Sequence, residues 1–160
     1  MRRSVLHVFA IFVFAVYPAV QVLAQPPQVV LDSQRLLSKS HAFLNHSSDL
    51  LDLAKGQEGT LEFEIAMDLN GEATLNSERL FSAGNLVLVY EQMTCSSDKA
   101  FIRLYVQRVL NAYIKNLEQS ISGVNLGLAN THRPGVATTA AGLRDELRES
   151  KALIESMVLR

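Results

Sequence analysis

The only cysteine of this 160-residue chain, Cys95, is the residue with the most distinctive chemistry. It lies directly before Ser96-Ser97-Asp98, a run typical of a helix start. Backbone N–H groups at a helix N-terminus stabilise a thiolate, so a reactive or partner-linked thiol is one interpretation. The alternative is a buried, inert cysteine beside Met93, because free cysteine is among the most buried residue types.

Three tyrosines, Tyr90, Tyr105 and Tyr113, fall within or beside an apolar helical stripe. Tyrosine brings a polar tip to an apolar site, so these side chains are candidates for lining a pocket. The alternative places them at the edge of the core with their hydroxyl groups at the surface.

Histidines and carboxylates do not form a convincing metal or catalytic site. His41 and His46 would project about 140° apart on a helix, so they cannot share an ion from one face. His46 and Asp49 supply only two ligands, whereas zinc takes three or four protein ligands. A carboxylate stripe is formed by Glu64, Asp68 and Glu72. No Glu-x-x-His motif accompanies it, which favours a solvated acidic face.

The chain also lacks the motifs that mark common enzymes and cofactor sites. It contains no G-x-S-x-G, H-E-x-x-H, C-x-x-C or Walker glycine loop. Met67, Met93 and His132 could in principle ligate haem, but the C-x-x-C-H attachment motif is missing. We therefore expect no catalytic residue, no metal ligand and no cofactor.

The first 24 residues have the features of a secretory signal peptide. Arg2 and Arg3 precede an apolar run, and Val22-Leu23-Ala24 supplies a small-residue cleavage site before Gln25. The alternative is an uncleaved membrane anchor, but Pro18 and Gln21 fall inside any window long enough to span a bilayer. The sequence thus predicts export to the periplasm or the extracellular space, with no stable membrane span after cleavage.

The charge balance argues against nucleic-acid binding. Without Arg2 and Arg3, the chain has 13 basic and 16 acidic side chains, whereas nucleic-acid binding requires a basic field.

A lone cysteine cannot form an intramolecular disulfide, so the domain must be stabilised by packing.

Hydrophobic spacing predicts helices along most of the remaining chain. Residues 25–31 read as an extended leader, and residues 32–160 as one domain. The first helix starts at Asp32 or Ser33 and ends near Gly56, a plausible C-cap. The last helix starts at Val136 or Thr138 and has heptad spacing, which is typical of antiparallel bundles.

Residues 60–75 can be interpreted in two ways. Leu61, Phe63, Ile65, Met67 and Leu69 alternate as in a strand, and Asn70-Gly71 is a hairpin dipeptide. Leu61, Ile65, Leu69 and Ala73 also recur at a spacing of four, as in a helix. We favour the helix because the proposed return strand is very short.

A further helix is expected to start at Asn76 or Ser77, and Gly84-Asn85 could interrupt it. After Cys95, a wide apolar stripe that includes Phe101, Leu104 and Tyr105 predicts a central helix in contact with more than one neighbour.

Together these patterns predict an all-α bundle of four or five helices. The function they favour is a non-enzymatic exported protein that binds an unknown protein partner or forms a homo-oligomer. The alternative is a bundle that binds a small ligand, a metal or a cofactor.

Overall fold

A computed structural model describes residues 27–158, which form four helices. They are α1 (Gln28–Ala54), α2 (Leu61–Gln92), α3 (Ser96–Asn130) and α4 (Pro134–Val158). The prediction of an all-α bundle is confirmed. The proposed signal peptide, residues 1–24, lies outside the described residues.

Consecutive helices run antiparallel and each packs along its neighbour. Ser77 of α2 donates to the Ser40 carbonyl of α1, and Glu118 of α3 pairs with Lys151 of α4. The ring closes between α1 and α4, where the Lys39 ammonium lies 2.7 Å from Glu146 and 2.6 Å from Glu149. Burial lowers the pKa of Lys39, but bonds to both carboxylates outweigh this effect and raise it overall.

The interior consists of apolar residues that recur every seven positions. On α4 the buried residues alternate at spacings of four and three, as the sequence predicted. The largest fully buried side chains come from all four helices: Leu36, Phe43, Leu50, Leu69, Leu80, Leu117, Leu143, Leu147 and Ile154. Continuous seams of this kind bury one stripe of each helix, which is how a bundle gains most of its stability.

A layer of short polar side chains crosses the middle of this interior. Asn76 donates to the Ser120 hydroxyl at 2.9 Å and to the Glu72 carbonyl at 2.7 Å. Ser150 lies at the same level, because its neighbour Lys151 pairs with Glu118. We call this set the polar layer; its members are Ser40, Asn76, Ser77, Ser120 and Ser150, all buried.

The second helix confirms one expectation from the sequence and corrects two. It continues without a break from Leu61 to Gln92, so residues 61–75 are helical, as favoured, and form no hairpin. Asn76 and Ser77 do not cap a new helix. They lie in the interior of α2, where Asn76 donates to the Ser120 hydroxyl of α3 and Ser77 donates to the Ser40 carbonyl of α1. Gly84-Asn85 does not interrupt the helix either.

Helix ends differ from the predicted bounds by a few residues. Residues 28–31, assigned to an extended leader, form the first turn of α1, and α4 begins at Pro134, as proline favours the first helical turn. Gly56 follows the α1 C-cap with φ +71°, a left-handed conformation that suits glycine. Thr60 caps α2, because its hydroxyl accepts from the Phe63 N–H at 3.1 Å.

One end of the bundle is tied together by polar bonds between loops. The Glu62 carboxylate accepts from the Thr131 hydroxyl at 2.6 Å and from the His132 N–H at 2.7 Å, and these bonds lower the pKa of Glu62. The Arg133 guanidinium donates to the Leu53 carbonyl at the end of α1. These contacts fix the α3–α4 turn against the first two helices.

At the opposite end, α2 and α3 extend beyond the described parts of their neighbours. The Ser33 carbonyl faces Gly84, so α1 begins about level with Val89. The pairing of Lys151 with Glu118 places Val158 about level with Asn111. The first turns of α3 therefore reach roughly 16 Å past the start of α1 and roughly 22 Å past the described end of α4, at 1.5 Å per residue. We call this segment the α3 overhang, residues 96–106.

Two glycines of α2 provide a matched test of how closely α1 and α2 pack. A Cβ at Gly84 would lie 2.9 Å from Leu37 Cγ and 3.1 Å from the Ser33 carbonyl oxygen, whereas one at Gly71 would meet nothing within 4 Å. We expect Gly71→Ala to raise the free energy of unfolding by about 1 kcal/mol, from helix propensity alone. Gly84→Ala has the same advantage in helix propensity but forces α1 and α2 apart. It should therefore lower the free energy of unfolding by about 1–3 kcal/mol. Urea unfolding followed by circular dichroism measures both; stabilisation by both variants would contradict the close packing.

Candidate functional site

An exposed apolar surface lies on the outer side of α2 and the α3 overhang. Phe101 is 85% exposed, Leu104 63%, Tyr105 61% and Val89 61%. We call these four residues the apolar patch. They flank a groove of about 620 Å³ between the end of α2 and the start of α3, whose wall also includes Met93.

The patch occupies one face of α3 over two turns. Positions 101, 104 and 105 share a face because residues three and four apart are neighbours on a helix. Val106 and Leu110 point to the other side and are buried in the bundle. The wide stripe predicted from the sequence is therefore divided: its inner part is buried in the bundle, and its outer part borders the groove beside α2 and is mostly exposed.

Two contacts hold the start of α3 against α2. The Lys99 ammonium lies 3.1 Å from the Glu91 carboxylate and 4.9 Å from the centre of the Tyr90 ring. The ion pair is about two-thirds buried or more on both sides, and the cation–π contact adds to it. The patch is thus presented on an anchored helix rather than on a loose loop.

Charges lie at both ends of the exposed face of α3. Asp98 lies one turn before Phe101, and Arg108 lies one turn after Leu104 and Tyr105; both side chains are exposed. Arg103 is also exposed but lies about 200° around the helix from Phe101, on the opposite side. The exposed face therefore has an acidic end, an apolar centre and a basic end.

The structure brings two of the three candidate tyrosines together. Tyr90 lines the same groove as Tyr105, which belongs to the apolar patch. Tyr90 also borders a cavity of about 250 Å³ near Val29, Val106 and Met157 at the same end of the bundle. Tyr113 lies farther along α3, half-buried against the core.

Cys95 occupies the N-cap position of α3, as the sequence predicted, and it is exposed. The interpretation as a buried cysteine is wrong, because the short α2–α3 turn projects away from the core. The Cys95 Sγ lies 3.1 Å from the Ser97 Oγ, and the Asp98 N–H also faces the sulfur. The Ser97 hydroxyl, followed by this N–H, lowers the pKa of the Cys95 thiol.

The other candidate ligands are spread over the surface. Among residues 27–158, no group of three His, Cys, Asp or Glu side chains is placed to hold a metal ion. His46 packs against Gly142 of α4, whereas His41 is exposed. Glu64 and Asp68 are exposed, and Glu72 contacts Asn76.

Sequence reasoning missed the apolar patch as a functional surface. The signal was present in the order of residues, since Asp98, Phe101, Tyr105 and Arg108 follow one another on a single helical face. What the sequence did not provide is the level at which α1 and α4 end relative to α3. That level decides whether an apolar residue of α3 is covered.

The thiol pKa can be tested through the rate of alkylation. We expect the iodoacetamide reaction of native protein to rise with pH through a midpoint below that of the urea-unfolded chain, because only the thiolate reacts. Ser97→Ala should move the native midpoint upward, since it removes the largest stabilising contact of the thiolate. An unchanged midpoint in Ser97→Ala, or a native thiol that reacts only after unfolding, would contradict this assignment.

None of the helices in the described part of the chain is both long and apolar enough to cross a bilayer.

Comparisons of the chain with protein-family models, curated proteins and solved structures gave no match.

Proposed function

We propose that this chain is an exported helical-bundle protein that acts without catalysis, by binding a protein through the apolar patch on α2 and α3. Export is supported by the signal-like composition of residues 1–24. The observation that carries the binding proposal is the cluster of four large apolar side chains, each at least 61% exposed, that lie together at one groove. Single exposed apolar residues are common, but a contiguous group marks an interaction surface.

The composition of the patch suits a protein partner. Aromatic residues, methionine and arginine are enriched at interfaces, and here Phe101, Tyr105, Met93 and Arg108 lie together. Aromatic anchors of this kind dominate binding energy when a partner covers them.

The same geometry disfavours a small-molecule site. Pockets for small ligands bury most of the ligand surface between enclosing walls. Phe101 projects into solvent with 85% of its surface exposed, so the groove has an open side that no described residue closes. A broad protein surface covers such a side chain better than a small ligand does.

Site-specific photo-cross-linking tests this function. A benzophenone amino acid at Phe101, in the full-length chain expressed in its native host, should form an adduct with a polypeptide under irradiation. The same amino acid at Arg148, an exposed position on α4, serves as the control and should form none. The adduct is then identified by mass spectrometry of the linked peptides.

Each outcome decides the proposal. A protein adduct at Phe101 that is missing at Arg148 supports it. A cross-link only to residues 1–26 of the same chain, only to lipid, or to nothing would show that the patch does not bind a protein partner.

A further inference from the structure

The exposed face of α3 is complementary to itself when two copies run antiparallel. If a twofold axis passes near position 103, Asp98 faces Arg108 of the second copy, because both lie five residues from the axis. Phe101 then faces Tyr105 of the second copy, since both lie two residues from it. The same axis brings Leu104 close to its counterpart. The acidic, apolar and basic segments of the face thus match their partners in one register.

From this register we infer that the occupant of the apolar patch is a second copy of this chain, paired through antiparallel α3 helices. The inference rests on the proposed function and names its partner. Symmetric pairing is the commonest form of association between identical chains, and it requires a surface that complements itself under a twofold rotation. The face from Asp98 to Arg108 meets that requirement in charge and in apolar content.

The helical geometry allows the approach. The α3 overhang extends past the described parts of α1 and α4, so neither helix stands between its outer face and a second copy. Val89 on α2 lies beside the stripe and shares its groove, so it would flank the α3 helix of the second copy. Two α2–α3 pairs in contact would form a four-helix arrangement, the packing that the rest of the chain already uses.

The size of the patch sets the expected strength. Four exposed side chains, two of them aromatic, offer roughly 500 Å² per copy, so a symmetric pair buries roughly 1,000 Å² in total. That area is the lower limit for a specific interface. The pair should therefore be a reversible dimer whose population rises with protein concentration.

The same register keeps the two thiols apart. Cys95 lies eight residues from the axis, so the two sulfurs are separated by about 24 Å along the helices. A disulfide requires Cα atoms within about 7 Å of each other. This dimer is consequently independent of Cys95, and reductant should not change it.

Charge exchange across the pair is the decisive experiment, measured by sedimentation equilibrium of the full-length chain. Arg108→Asp places two carboxylates opposite each other at both symmetric contacts, and Asp98→Arg does the same with two cations. Each single variant should weaken dimerisation at least about tenfold. The double variant exchanges the charges, restores both attractions and should recover the wild-type dissociation constant.

Arg103→Asp is the matched control, because it makes the same charge change on the opposite side of α3. It should leave dimerisation unchanged, and circular dichroism should show equal helix content for every variant. The antiparallel register is wrong if the double variant is as monomeric as the two single variants. It is also wrong if Arg103→Asp weakens dimerisation as much as they do.

A wild-type chain that remains monomeric at several hundred micromolar would overturn self-pairing. The photo-cross-link at Phe101 then separates the two proposals. An adduct with a different protein would leave the binding function standing without the second copy, whereas no protein adduct would remove both.

Discussion

The close contact between α1 and α2 is the constraint on which the rest of the structure depends. Ser77 of α2 bonds to the Ser40 carbonyl of α1, and a Cβ at Gly84 would lie 2.9 Å from Leu37 Cγ and 3.1 Å from the Ser33 carbonyl oxygen. These contacts favour one axial position of α1 against α2. That position makes α1 begin level with Val89 and leaves the end of the α2–α3 pair beyond it.

The polar layer reinforces the same alignment through hydrogen bonds. Apolar seams with a seven-residue repeat could slide by one heptad at modest cost, but a slide of α3 along α2 would separate Asn76 from the Ser120 hydroxyl and leave Asn76 only its bond to the Glu72 carbonyl of its own helix. Unsatisfied buried polar groups cost about 1–3 kcal/mol each, so the register with intact bonds is preferred. Within the described residues the layer already holds one buried hydroxyl without a hydrogen bond, that of Ser150. At the end of the bundle that holds the α3–α4 turn, the bonds from Thr131 and His132 to Glu62 and from Arg133 to the Leu53 carbonyl fix the same alignment.

Much of this architecture could be predicted from local patterns, and the remainder could not, for physical reasons. Periodicity located α1, α3 and α4 but divided α2 at Asn76, glycine chemistry located the end of α1, and the serines after Cys95 located the start of α3. Asn76 and Ser77 were mistaken for caps because the same side chains that bond to free N–H groups also bond across a core. Phe101, Leu104 and Tyr105 were assigned to a stripe in contact with neighbouring helices because their apolar spacing matches one. Spacing shows which residues share a face of α3, but it does not show where the neighbouring helix ends.

Pairing of the exposed face of α3 with a second copy in one antiparallel register fixes the distance between the two Cys95 side chains, so this distance is the measurement that decides it. Cys95 is exposed and is the only cysteine, so a nitroxide label can be attached there without further substitution. Pulsed dipolar electron paramagnetic resonance of the labelled chain at high concentration should give a distance distribution between roughly 20 and 40 Å. This range combines the axial separation of about 24 Å with the spacing between packed helices. A distance below about 15 Å would indicate that the α2–α3 turns meet end to end. A concentrated sample without dipolar modulation would show that the face does not pair at all.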